Sequence, residues 1–154
     1  MKPRRYPYSV LISGVSPTIT KIIDGLYIGG RRDAEALSSA NPYQIATVIT
    51  LCEELVEQRN PAIRYLHLPL RDACPIRISW LNAILTAIEE SMPRGAVLVH
   101  CGVGISRSPA VVAAYLDRIG FLSFAAALHY LENLRPAVAP SKALVESIER
   151  ELSQ

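Results

Sequence analysis

Five residues without a charge, "AVLVH" at 96–100, run directly into a glycine-containing turn, "CGVGISR", and out of it into "SPAVVAAYLDRI". A strand with no polar face must be covered on both sides, which in a small protein means a parallel sheet flanked by helices. The apolar segment after the turn reads as a buried helix, with Pro109 in its first turn and Gly120 at the position where a helix ends in a left-handed residue. A buried strand, a tight turn and a buried helix leave few alternatives to an α/β fold.

The rest of the chain agrees. Residues 1–18 carry Pro3, Pro7 and Pro17 and read as an irregular arm, whose "KPRR" is expected to be a solvated tail rather than a docking patch. "ITKIIDGLYIGG" predicts a short strand near Leu26–Ile28 closed by Gly29 and Gly30, and "RDAEALSS" a short helix. "IATVITL" (45–51) and "IRYLHLPL" (63–70) are rich in branched residues and predict two further strands. Trp80, Leu81, Ile84, Leu85 and Ile88 recur at helical spacing within 79–92, and Pro93 and Gly95 end that helix. Ser123 is placed to cap a helix through Leu134, which ends before Pro136, and Ser141 a last one with Leu144, Val145, Ile148 and Leu152 inward. The expected architecture is one domain over 19–154, with a central, mostly parallel sheet of four to five strands flanked by helices. No repeat or low-complexity segment interrupts it.

Composition removes several classes of function. A formal net charge of +2 offers no electrostatic case for nucleic acid as the main partner. No apolar run reaches the ~18 residues of a membrane span, and Lys2, Arg4 and Arg5 lead into Pro7 and Tyr8 rather than into the apolar core of a secretory signal. The expectation is a cytoplasmic protein bound neither to membrane nor to nucleic acid. Cys52, Cys74 and Cys101 are too few and too unevenly spaced for a disulfide framework, and the three histidines lack ligand spacing for a metal site.

The turn itself carries chemistry. Loops beyond the carboxyl ends of parallel strands are where ligands bind, and successive backbone N–H groups in a glycine turn make a nest for an anion. Gly102 and Gly104 are expected to provide that curl, the following helix adds its positive end, and Arg107 offers a planar two-pronged donor that suits a phosphoryl group. The same field favours the thiolate of Cys101, as helix ends and cations generally do for cysteines. A phosphate-loop kinase needs a lysine and a metal carboxylate at this point, and the sequence has neither. The combination suits attack of sulfur on phosphorus, giving a phosphocysteine intermediate. His100 and Cys101 are neighbours on a strand and face opposite ways, so His100 reads as a structural histidine rather than the base of a cysteine protease. Ser108 reads equally as a helix cap and as a hydroxyl that donates to the departing thiolate.

"HCGVGISRS" resembles the His-Cys, five residues, Arg, Ser/Thr motif of the cysteine-dependent protein phosphatases, and its "GxSRS" form resembles the dual-specificity branch. The resemblance extends from about Ile19 to Leu152, through "IIDGLYIGG", "VITLCEE", "LHLPLRD" and "LENLRPAVAPSKAL". It implies that Cys101 is the nucleophile, Arg107 the phosphate clamp and Ser108 the hydroxyl that helps release the thiolate. Gly102, Val103, Gly104, Ile105 and Ser106 would line the phosphate with backbone N–H groups. Asp72, 29 residues before Cys101, would be the general acid, although alone it would read as an ordinary loop carboxylate. Many relatives carry an asparagine, which helps brace the catalytic loop, where this chain has Ser141. Val103 and Ile105 stand where lipid-directed relatives carry lysines, and the phosphotyrosine-recognition segment of the classical tyrosine-specific enzymes has no counterpart, implying a shallow pocket.

The resemblance thus implies a compact phosphatase without cofactor or metal, acting on phosphorylated proteins, on phosphotyrosine first and phosphoserine or phosphothreonine second. Competing readings are a phosphate-binding module with little turnover, an RNA 5′-phosphatase and a sulfur-transfer enzyme. Cys52, at a place resembling the backdoor cysteine of some relatives, and Cys74, on the acid loop, are rival redox partners for Cys101. A small buried apolar role is the plainer reading of Cys52.

Overall fold

The computed structural model describes residues 18–153, so all of the expected N-terminal arm except Thr18 lies outside the described residues. The charge-free run forms β5 (Ala96–His100), which lies in the middle of a five-stranded sheet with β1 (Thr20–Ile23), β2 (Leu26–Gly29), β3 (Ile45–Thr50) and β4 (Arg64–His67). The strand order is β1-β2-β5-β3-β4, parallel throughout except for β1, which pairs antiparallel with β2. β5 has both neighbours, with Val97 beside Leu26 and Thr47, and His100 beside Gly29 and Thr50. Ladder bonds on both edges and cover on both faces are the physical reason it carries no charge.

The two faces are covered unequally. Leu98 points to one side, where it packs with Val48, Ile45, Ala34 and Leu37 beneath α1 (Arg31–Ala36). Val97 and Val99 point to the other, into the larger core with α2 (Ile78–Ser91), α3 (Arg107–Arg118), α4 (Phe124–Leu134) and α5 (Lys142–Leu152). Side chains such as Leu81, Ile84, Leu85 and Ile88 of α2 are buried there, each worth ~1.5–3 kcal/mol against an exposed position. In α3, every residue from Ser108 to Leu116 is buried, as expected of a helix that is apolar all round.

The helix ends follow local chemistry. Ser123 Oγ accepts from the Ala126 N–H at 3.3 Å, Ser141 Oγ accepts from the Leu144 N–H at 3.3 Å, and Gly120 adopts φ +75° after α3. Three expectations need correcting. The short first strand is a hairpin, whose turn is Asp24-Gly25 with Gly25 at φ +81°. The strand expected over 63–70 ends at His67 because Pro69 has no N–H to donate; Leu68 N and Leu70 N still reach Thr50 O and Leu51 O, at 2.9 and 3.0 Å. The helix after the turn begins at Arg107, with Ser106 rather than Ser108 at its cap position.

Candidate active site

The turn between β5 and α3 directs its backbone in a particular way. The carbonyls of residues 101–106 all accept from groups outside the loop. His100 Nδ1 meets Cys101 O at 3.0 Å, Arg31 N meets Gly102 O at 2.8 Å, and Ala139 N meets Ile105 O at 2.9 Å. Arg135 takes the middle pair, Nη2 to Val103 O at 3.1 Å and Nε to Gly104 O at 3.0 Å, and Ala110 N takes Ser106 O at 3.2 Å. The N–H groups of 102–106 donate to no other described residue. Carbonyls turned outward leave amide hydrogens for the cleft, the arrangement of an anion nest.

Only one of the two loop glycines is demanded by this geometry. Gly104 sits at φ +72°, and a Cβ there would lie 2.7 Å from Gly29 O and 2.6 Å from Arg135 Nη2. Gly102 needs no positive φ, and a Cβ on it would meet nothing nearer than Arg107 Nη2 at 3.8 Å. The curl expected of both glycines therefore rests on Gly104. The neighbouring turn contributes its own lack of side chain, since a Cβ on Gly30 would lie 3.0 Å from Gly102 O.

Arg135 belongs to the site although the turn motif does not point to it. It is 2% exposed, and besides the two loop carbonyls its Nη1 donates to Thr18 O and Thr20 Oγ1, both at 2.8 Å. Its sequence signals are a lone basic residue at the end of α4, just before Pro136, and its place within "LENLRPAVAPSKAL". A buried carbonyl left without a donor costs ~1–3 kcal/mol. Arg135→Met should therefore lower stability by at least ~2 kcal/mol. At temperatures where the variant is folded, it should weaken phosphate binding by ~10-fold, the equivalent of one such loss. Denaturant unfolding and calorimetric phosphate titration check the two effects; unchanged phosphate affinity would show that Arg135 stabilises the fold without shaping the loop.

The side chains expected to act together do meet. Cys101, 2% exposed, places Sγ 3.3 Å from the hydroxyl of the fully buried Ser108. That contact, and the absence of any capping bond from Ser108, removes its reading as a helix cap. Asp72 Oδ1 accepts from Ser106 Oγ at 2.7 Å and from the Ala73 N–H at 2.9 Å, with Ala73 held left-handed at φ +57°. Arg107 Nη1 donates to Glu53 Oε1 at 2.7 Å and to Leu70 O at 3.3 Å. Cys101, Arg107, Asp72, Ser106 and Ser141 line one open cleft of about 270 Å³.

The family description "Dual specificity phosphatase, catalytic domain" matches residues 26–151, from β2 to α5. This chain belongs to the dual specificity phosphatase family. It is 30% identical over 134 residues to dual specificity protein phosphatase 18 of Mus musculus, covering 84% of this chain and 70% of that protein. A probable dual specificity protein phosphatase of Dictyostelium discoideum is 29% identical over 133 residues; the match spans 86% of this chain but only 34% of that protein. Among solved structures, human DUSP28 superposes with a TM-score of 0.80 at 25% identity, over 91% of this chain and 98% of the other. DUSP15 superposes with a TM-score of 0.78 at 27% identity, over 86% of both chains.

In this dual specificity phosphatase domain the loop is braced at Ser141, where the resemblance expects an asparagine. The Ser141 N–H donates to Ser106 Oγ at 3.0 Å, a bond from the backbone that any residue but proline could make, and Ala139 and Arg135 hold the adjacent carbonyls. His100 is the structural residue expected. Because Cys101 O can only accept, Nδ1 carries the proton, and Nε2 accepts from Thr50 Oγ1 at 2.8 Å. Burial above all holds the His100 pKa down at about 4, against a usual 6.5. Between these values the unfolded chain binds a proton that the folded one refuses. This part of the stability is complete above pH 6.5 and falls away as pH drops towards 4, by up to ~3 kcal/mol. Unfolding curves of wild type and His100→Asn across that window check it, and equal slopes would assign the effect elsewhere.

Cys52 is buried at the end of β3, and burial first, then the Glu54 carboxylate, push its thiol up while Arg107 pulls it down. Cys74 is half-buried on the Asp72 loop, and all three cysteines are free thiols. Among the described residues no cluster of three or more His, Cys, Asp or Glu is arranged to hold a metal, and no helix is long and apolar enough to cross a membrane.

Proposed function

We propose that residues 19–154 form the catalytic unit of a protein phosphatase that hydrolyses phosphate monoesters through a phosphocysteine intermediate. The observation that carries this is the loop whose six carbonyls are all engaged from outside, beside a cleft lined by both Cys101 and Arg107. Such a site is built for a tetrahedral oxyanion with its central atom facing sulfur.

In the first step the Cys101 thiolate bonds to phosphorus as the ester oxygen leaves, and that oxygen takes the proton of Asp72. The amides of 102–106 and the guanidinium of Arg107 hold the equatorial oxygens, whose charge grows in the transition state. In the second step a water attacks phosphorus and gives a proton to Asp72, while the sulfur departs as a thiolate. Ser108, 3.3 Å from that sulfur, donates a hydrogen bond to the charge formed. Apart from the attacking water, every group these steps use belongs to the protein, so the proposed chemistry uses no cofactor.

The substrates we assign are phosphorylated proteins, phosphotyrosine first and phosphoserine or phosphothreonine after it. The three free thiols suit the reducing cytoplasm as the place of action. A phosphopeptide panel assayed in EDTA tests the proposal. Release of phosphate from tyrosine phosphopeptides, undiminished by the chelator, is the expected result. No turnover of any phosphopeptide, with hydrolysis of an RNA 5′-triphosphate or turnover of thiosulfate instead, would overturn it.

A further inference from the structure

Arg107 does not stand idle in the cleft. Its Nη1 donates to Glu53 Oε1 at 2.7 Å and to Leu70 O at 3.3 Å, whereas its buried Nε has no hydrogen-bond partner among the described residues. A guanidinium facing a well-matched anion uses two parallel donors. Here the carboxylate takes only one, and a buried donor is left unsatisfied beside it. The two partners are also unequal in their surroundings: the Arg107 side chain is 14% exposed and that of Glu53 is 59% exposed. Glu53 can swing back into water at small cost, while Arg107 stays where it is.

We propose that Glu53 is an internal competitor for the phosphoryl group, holding Arg107 at rest and displaced from it when an oxyanion enters. This rests on the reading of the 101–107 loop as a phosphoryl site. A phosphomonoester brings three oxygens, enough to satisfy Nε and an Nη together, and so it offers Arg107 what the single carboxylate contact does not. A monoanion with one free oxygen offers no such advantage over Glu53, which is tethered one residue beyond Cys52 and present at high effective concentration. The apparent affinity for any anion is the intrinsic one multiplied by the fraction of molecules in which Arg107 is free. Glu53 thereby sets the threshold an anion must pass to engage Arg107. No feature of "LCEEL" in the sequence indicates this, because the partner lies 54 residues away.

The test is titration of inorganic phosphate and of tungstate into wild type, Glu53→Gln and Glu53→Asp, with KM for an aryl phosphate measured alongside. Both variants are expected to bind the two anions about 3–10-fold more tightly, with KM falling by the same factor. The aspartate variant is the decisive one, since it keeps the charge and shortens the reach. If glutamine tightens binding and aspartate does not, the negative field acts rather than the contact, and the proposal fails. It fails too if both variants bind more weakly, which would make Glu53 a support for Arg107. Retained phosphate affinity with lost phosphotyrosine turnover in Glu53→Gln would make Glu53 the proton donor and overturn it as well. Wild type that binds neither anion at millimolar concentration would remove the phosphoryl reading itself, and this inference with it; wild-type binding with unmoved variants would remove the inference alone.

Discussion

Cys101→Ser is expected to reduce turnover of phosphotyrosine peptides by at least ~10⁴-fold, the scale on which loss of a catalytic nucleophile acts, while inorganic phosphate binds nearly as before. The two halves of that result come from different parts of the loop. Bond formation to phosphorus needs a sulfur anion, and a serine hydroxyl in the same place has no base beside it: the neighbouring histidine holds Nδ1 on Cys101 O and Nε2 on Thr50. Binding needs the amides of 102–106, whose direction is set by Arg135, Arg31 and Ala139 and not by the residue at 101. Single-turnover assay and phosphate titration of the same preparation check both. Phosphate affinity lost together with turnover would show that sulfur, and not the backbone, holds the anion.

Asp72→Asn should lose ~10²–10⁴-fold on phosphotyrosine and phosphoserine peptides and far less on a highly activated aryl phosphate. Negative charge builds on the leaving oxygen as sulfur attacks; an activated aryl oxide bears it unaided, whereas a tyrosine or serine oxygen requires the proton. The asparagine keeps an oxygen for the Ser106 hydroxyl and the Ala73 N–H, so the loop should hold its place and only the proton is removed. A leaving-group series for wild type and variant is the measurement. Parallel dependences on leaving-group pKa would show that Asp72 does not supply the proton, and Glu53 and Glu54 would be the carboxylates to examine next.

What could be read in advance was what neighbouring residues decide among themselves. The caps at Ser123 and Ser141 and the stop at Gly120 depend on contacts within a few residues, and the strand without charges shows in its own residues that both its faces are covered. The hairpin of β1 and β2 escaped that reading: Asp24-Gly25 is a turn signal, but the four-residue strand before it is too short to stand out. Arg135 could not be found this way, because its worth lies in carbonyls 31 and 32 residues earlier. The contact of Arg107 with Glu53 is of the same kind. Ser141 shows the reverse difficulty. The residue there suggested a lost brace, yet the bond from position 141 to Ser106 runs from the backbone and does not depend on the side chain.

One guanidinium joins the loop carbonyls of Val103 and Gly104 to Thr18 and Thr20, 117 and 115 residues before Arg135. Contacts so distant along the chain form late, after the entropy of closing a long loop has been met. The hollow for the anion is therefore fully braced only late, even where β5 and α3 have already paired. Phosphate affinity during refolding should accordingly rise to its full value only when Thr18 and Thr20 have reached Arg135, the last ~10-fold arriving with that contact.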